Sequence, residues 1–228
     1  MLIHSPYWKS EAMKNLLLLL FLAPCSLLAQ KSDLGSWYIF FGNKKINDRL
    51  NWHHEVQYRN FNAFGDTEQL LLRTGIGYNL TERNNNILLG YGYIYNEPYQ
   101  TADEKTQSAE HRIFQQFITR QSFGRFHLQH RYRFEQRFIE SDFSLRLRYF
   151  LSLQIAFNNK QVIEKTAYLS AYNEIFMNTK QSYYDRNRLY GGLGYMFSKY
   201  VRTEVGLMRQ SSISQSRNQV NLVIFVNY

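Results

Sequence analysis

Downstream of residue 34, apolar side chains recur at every second position over most of the chain. This is the period of a strand with two chemically different faces. The stretch FHLQHRYRFEQRF shows it most plainly: Phe126, Leu128, His130, Tyr132, Phe134, Gln136 and Phe138 share one register, and His127, Gln129, Arg131, Arg133, Glu135 and Arg137 share the other. The alternation predicts strands over roughly 34–42, 49–60, 67–80, 86–96, 110–120, 125–138, 143–157, 166–176, 187–198, 200–210 and 217–228. Many are longer than the five or six residues of an ordinary strand, and about 9–11 residues is what a tilted strand needs to cross a bilayer.

Seven of these segments alternate cleanly enough to count. Their apolar registers, from Leu50–Tyr58 to Val220–Tyr228, hold 39 positions and no Asp, Glu, Lys or Arg, whereas the opposite registers hold 40 positions of which 14 are charged. A soluble antiparallel sheet also has a dry and a wet face, but its dry face must interdigitate in a close-packed core. Here that face is crowded with Phe126, Tyr132, Phe134, Phe138, Phe143, Tyr149 and Phe157, while the charged face also carries Gly75, Gly77, Gly90, Gly92, Gly192, Gly194 and Gly206. The pattern suits a wall with its oily side in lipid and its charged side in a narrow lumen. The expected fold is all-β, an antiparallel transmembrane β-barrel of 10–12 strands. Eleven candidates are visible, and because bacterial single-chain barrels normally have even numbers, either 34–42 is not a wall strand or one strand is still to be found.

The connections add to this reading. TERNN after Leu80, QSFG after Arg120 and SK after Phe197 are short, whereas Asn96 to Ala109 and Asn178 to Asp185 are long and polar, the asymmetry of an outer-membrane barrel. The chain ends NQVNLVIFVNY, with Val220, Leu222, Ile224, Val226 and Tyr228 on one register. Such an ending resembles the signal by which outer-membrane barrels engage their assembly machinery.

The N-terminus sets the expected compartment. From Met13 the chain reads MKNLLLLLFLAPCSLLAQ, the basic start, short apolar run and small residue of a secretory leader. Residues 1–29 are therefore expected to be upstream sequence and signal peptide, with the barrel over 30–228 in the outer membrane of a Gram-negative bacterium. Cys25 lies inside the leader and is the chain's one cysteine; Pro24 before it does not suit a lipoprotein site. No disulfide is then available to the mature chain.

Charge changes the picture inside the barrel. The net charge of +9 raises nucleic acid as a partner, but the basic residues are mostly arginines spaced two apart inside strand-like segments, and no nucleic-acid partner is expected. The predicted lumen-lining set is Arg49, Glu55, Arg59, Arg73, Arg131, Arg133, Glu135, Arg137, Arg146, Arg148, Glu174, Arg188, Arg202 and Glu204, with Arg125, Glu110 and Arg112 beside it. Two readings follow: an Arg–Glu ladder that fills the barrel and ties neighbouring strands by bidentate pairing, or an electropositive, porin-like conduit for small anionic solutes, since the arginines outnumber the glutamates.

The linked segments resemble an outer-membrane-like family catalogued as domain of unknown function 2490. Those that carry the likeness are Trp37 and Trp52 followed by Glu55 and Arg59, GIGYNLT (Gly75 to Thr81), GYGY (Gly90 to Tyr93), EHRIFQQ (Glu110 to Gln116), HRYRFEQRF (His130 to Phe138), LRLRYF (Leu145 to Phe150), NEIFMN (Asn173 to Asn178) and DRNRLYGGLGY (Asp185 to Tyr195). The resemblance implies a β-barrel and transfers no catalytic residue.

Other chemistry is sparse. His53 and His54, and likewise His127 and His130, have opposite parity, so neither pair makes a metal site, and no metal or cofactor is expected. Asp103 and Glu104 in the long loop read as solvated, with cation binding as the alternative. An outer-membrane lipid hydrolase or acyltransferase would need a His and a Ser together on the outer wall. His54 and His130 are on that register without a nearby serine. The expected role is therefore a non-enzymatic envelope barrel in contact with outer-membrane lipid, with a lipid-modifying enzyme as the alternative.

Overall fold

The computed structural model describes residues 34–82, 84–180 and 182–228; the segment read as a leader, residues 1–29, lies outside them. The described residues form eleven strands: β1 (Leu34–Lys45), β2 (Leu50–Asn60), β3 (Thr67–Asn79), β4 (Asn85–Asn96), β5 (Ser108–Phe123), β6 (Phe126–Ile139), β7 (Asp142–Ala156), β8 (Thr166–Asn178), β9 (Tyr184–Met196), β10 (Val201–Ser212) and β11 (Ser216–Asn227). Each strand pairs with its sequence neighbours, and β11 returns to β1 to close the barrel.

The count is eleven, within the expected 10–12: the segment at 34–42 is a full wall strand, and the number is odd without a further strand to make it even. In an up-and-down barrel with an odd number of strands the first and last run the same way. The barrel is accordingly mixed: β1 and β11 pair in parallel, from Leu34↔Asn218 to Asn43↔Asn227, and every other ladder is antiparallel. The seam is extended by the Lys45 N–H to Tyr228 O bond (2.8 Å) and the Tyr228 N–H to Asn43 O bond (3.0 Å).

The ladders also fix the width. Starting at Ile39, one path round the wall runs through Gln57, Leu71, Ile94, Glu110 and Ile139 to Asp142. The other runs through Val223, Glu204, Gly194 and Tyr168 to Ala156, fourteen residues further along the same strand. With ~3.3 Å per residue and ~4.8 Å between strands, that stagger tilts the strands about 42° and gives a backbone radius of about 11 Å. A space that wide needs long side chains to fill it.

One end of the barrel carries the connections 46–49, 80–84, 124–125, 157–165 and 197–200 together with Tyr228; the other carries 61–66, 97–107, 140–141, 179–183 and 213–215 and the start of β1 at Leu34. The expected split into short turns and long loops holds only in part. The segment 157–165 is a long connection at the Tyr228 end, and the tightest turn at the Leu34 end, Glu140–Ser141, is made by Glu140 in the left-handed region (φ 52).

Between the two rims the outer wall is apolar. Leu89, Leu189 and Leu207 are each at least 60% exposed, in company with Ile76, Ile87, Leu147, Leu193, Val205 and Leu222. Several polar groups on this face pair with one another. Asn173 and Asn187 exchange hydrogen bonds of 2.9 and 3.1 Å and spend their second N–H groups on backbone carbonyls; His130 bonds the Tyr149 hydroxyl at 2.8 Å; the Trp52 indole donates to Thr74 Oγ1 at 2.7 Å.

Candidate functional site

The inward registers divide the lumen into two regions. Strand parity alone places Glu55, Arg59, Arg73, Arg112, Arg133, Glu135, Arg146, Arg148, Glu174 and Arg188 inside, and all are buried, none more than 7% exposed. They lie from mid-height toward the Leu34 end and form a plug organised on four carboxylates. Glu135 accepts from Arg146 (2.6 and 2.9 Å) and Arg148 (2.7 Å). Glu174 accepts from Arg131 (2.7 Å) and from Arg148 (2.6 Å). Glu110 takes two-pronged bonds from Arg112 and from Arg137, each closest at 2.5 Å. Glu55 binds Arg73 at 2.6 Å. Arg148 thus joins the Glu135 and Glu174 clusters and crosses from β6 to β8.

The arginines outnumber these carboxylates, and the remainder is held by neutral acceptors and rings. Arg59 donates to the side-chain carbonyls of Gln57 and Gln69 and lies 3.6 Å above the Trp37 ring. Arg133 donates twice to Gln116 Oε1, at 2.6 and 2.9 Å, and lies over Phe114. Arg188 donates to Gln210 and faces both Trp37 and Phe176. An amide oxygen and an aromatic face each attract a guanidinium without adding charge, so the surplus is accommodated inside a closed space.

One carboxylate escaped strand parity. The register of β9 against β8 shifts between Phe176 and Met177, and this bulge turns Asp185 inward beside Arg146 (3.4 Å) and Arg186 (3.1 Å). A bulge sets two residues against one, which a strict period of two cannot anticipate.

Above the plug, toward the Tyr228 end, the lumen opens into a cup of different character. Asn51 donates to Asn43, and Asn86 donates to Asn51 (2.9 Å) and to Asn79 (2.8 Å), a row of amides across β1 to β4. On the far side Glu204 accepts from Tyr168 (2.9 Å) and Gln154 (3.2 Å). Glycines make room for rings: a Cβ at Gly194 would meet Tyr168 and one at Gly192 would meet Tyr190, while at the level of the plug one at Gly90 would meet Phe114, all within 2.3 Å.

Three predicted lumen residues stand apart from the plug. Arg202 and Glu204 belong to the cup and do not pair with each other. Arg49 is not in the lumen: it sits in the turn before β2, where the Asn47 side chain accepts from the Arg49 and Leu50 N–H groups, and its guanidinium reaches the Tyr78 hydroxyl at 2.7 Å on the outside. Parity fails at Arg49 because the strand has not yet begun.

A model of the family described as protein of unknown function (DUF2490) matches residues 34–221, from the first strand into the last. The chain belongs to this family. No curated protein and no solved structure matches it.

DUF2490 membership carries no assigned chemistry, so the remaining polar groups are read on their geometry. The outward histidines His54, His111 and His130 each bond a tyrosine hydroxyl, of Tyr228, Tyr91 and Tyr149. One Ser–His pair does form, Ser122 with His127 at 2.9 Å, but on the inward register at the rim, with the second ring nitrogen unpartnered and no carboxylate to orient it. Asp103 and Glu104 are exposed in the 97–107 connection, where Tyr99 bridges to Lys105, and among the described residues no three His, Cys, Asp or Glu side chains group as metal ligands.

Proposed function

We propose that this DUF2490 protein is an integral outer-membrane β-barrel of a Gram-negative envelope that closes its lumen rather than conducting through it. The single observation carrying this reading is the inversion of its surfaces: the outer wall between the rims is apolar, while the guanidinium groups of nine arginines crowd the interior. In water such a wall would be an exposed apolar surface far beyond what a soluble monomer carries. In hydrocarbon it is the favourable arrangement, and a closed barrel leaves no backbone edge unpaired. Strands of 11 to 16 residues at about 42° also span the ~25 Å apolar band of such barrels.

The plug supports closure of the lumen. A conducting path would need water-lined guanidiniums, whereas Glu135 is fully buried and Arg133 and Arg146 nearly so. On this reading the leader directs export, the C-terminal strand ending in Tyr228 engages the barrel assembly machinery, and the partner of the outer wall is lipid. The role is structural and non-enzymatic.

The test is refolded protein in a planar bilayer. Protein that shifts on a gel between unboiled and boiled samples, yet shows no discrete conductance, supports a closed membrane barrel. Anion-selective steps would favour the conduit, and recovery as a soluble monomer without detergent would overturn the membrane reading.

A further inference from the structure

The cup at the Tyr228 end contains cations that nothing nearby neutralises. Arg120 of β5 and Arg202 of β10 stand on opposite staves of the barrel, at matching height above its middle. Neither is within ion-pair distance of a carboxylate among the described residues. The cup's own carboxylate, Glu204, is already engaged by Tyr168 and Gln154. In the plug, by contrast, every arginine but Arg59 lies within 4 Å of a carboxylate.

Both guanidiniums are nevertheless held in place. Arg202 lies 3.9 Å from the centre of the Phe225 ring, and its Nε is buried without a hydrogen-bond partner. Arg120 is oriented by donating Nε to Gln129 Oε1 at 2.9 Å. Arg131 rises from the floor of the cup, over Phe150, with its own Nε also buried and unpartnered. With a backbone radius of about 11 Å and arginine side chains reaching about 6–7 Å inward, the space between Arg120 and Arg202 is on the order of 8–10 Å. Positioned guanidiniums without a carboxylate partner, on opposite sides of such a gap, are an arrangement for carboxylate or phosphate oxygens. The amides of Asn43, Asn51 and Asn86 line the adjacent wall and offer hydrogen bonds to the uncharged part of a ligand.

We infer that the cup is a blind binding site for a small organic anion carrying carboxylate or phosphate groups, entered from the Tyr228 end and held between Arg120 and Arg202. The plug forms its floor, so a ligand would dwell there instead of passing through. The inference does not depend on the wall lying in a membrane.

The experiment is isothermal titration of the purified full-length barrel with citrate and, separately, with inorganic phosphate, against sodium chloride of equal ionic strength. It is run in detergent, or in plain buffer if the protein proves soluble, so failure here is distinct from failure of the membrane reading. Saturable binding of either probe is expected, weakened at least about tenfold by Arg120→Gln with Arg202→Gln. Glu204→Gln, which removes the cup's carboxylate and leaves both arginines, is expected to tighten binding and guards against misfolding of the double variant. No saturable binding to the native protein overturns the proposal. So does equal affinity in a double variant that keeps its gel shift, or weaker binding in a Glu204→Gln variant that keeps it.

Discussion

Arg133 on β6 lays its guanidinium 4.6 Å from the centre of the Phe114 ring on β5, and that ring occupies the space a side chain at Gly90 on β4 would need. Three adjacent staves are thereby tied by one sequence of contacts: no Cβ, a ring in its place, a cation on the ring. Gly90→Val should force Phe114 out from beneath Arg133, at a cost of about 1–3 kcal/mol from overpacking. Adding Phe114→Ala should recover part of the loss. Denaturant titration of the gel shift measures both, and a Gly90→Val variant as stable as the native barrel would mean the ring is free to move.

Glu135 is the acceptor on which Arg146 and Arg148 converge. Glu135→Gln leaves buried guanidiniums without their charge partner, and breaking a buried pair costs about 3–5 kcal/mol. Asp48→Asn removes the exposed pair with Lys45 and should leave stability unchanged. The comparison is read as the denaturant midpoint of each variant; equal midpoints would show that water reaches the plug.

Charge on the wall should matter by face. Leu147 is exposed on the outer wall near mid-height, and Ser152 on the same strand points inward. If the wall lies in lipid, Leu147→Arg costs about 2–4 kcal/mol near the midplane, while Arg at Ser152 enters the cup and is better tolerated. Folding yields into lipid vesicles report the difference, and equal yields would contradict the assignment of lipid to the outer face.

The parallel seam can be trapped covalently. Phe40 and Ile224 are register partners across β1 and β11, and Leu222 lies two residues out of register. Neighbouring parallel strands bring Cα atoms within the ~4.4–6.8 Å that a disulfide tolerates. Phe40→Cys with Ile224→Cys should cross-link readily on oxidation, and Phe40→Cys with Leu222→Cys much less. Similar cross-linking of both pairs would mean the seam slips.

The candidate site was legible in kind but not in arrangement. Parity assigned Arg133, Glu135, Arg146 and Arg148 to one face because side chains alternate in any strand, whatever it pairs with. It could not show that Arg148 would bridge Glu135 and Glu174, since that depends on the heights at which β6, β7 and β8 meet. It failed at Arg49, where a turn precedes the strand, and at Asp185, where a bulge reverses the side.

The sequence by itself determined where the strands run, their two faces and the segregation of charge to one of them, because a period of two is a local property of an extended chain. Tertiary structure decided the rest. Closure of an odd number of strands forced β1 and β11 into a parallel pair, and the fourteen-residue stagger set the tilt, the radius and the level of every inward side chain. That stagger accumulates over pairings between segments distant in sequence. It gathers carboxylates and arginines into a plug at one level and sets Arg120 and Arg202 on opposite staves at another.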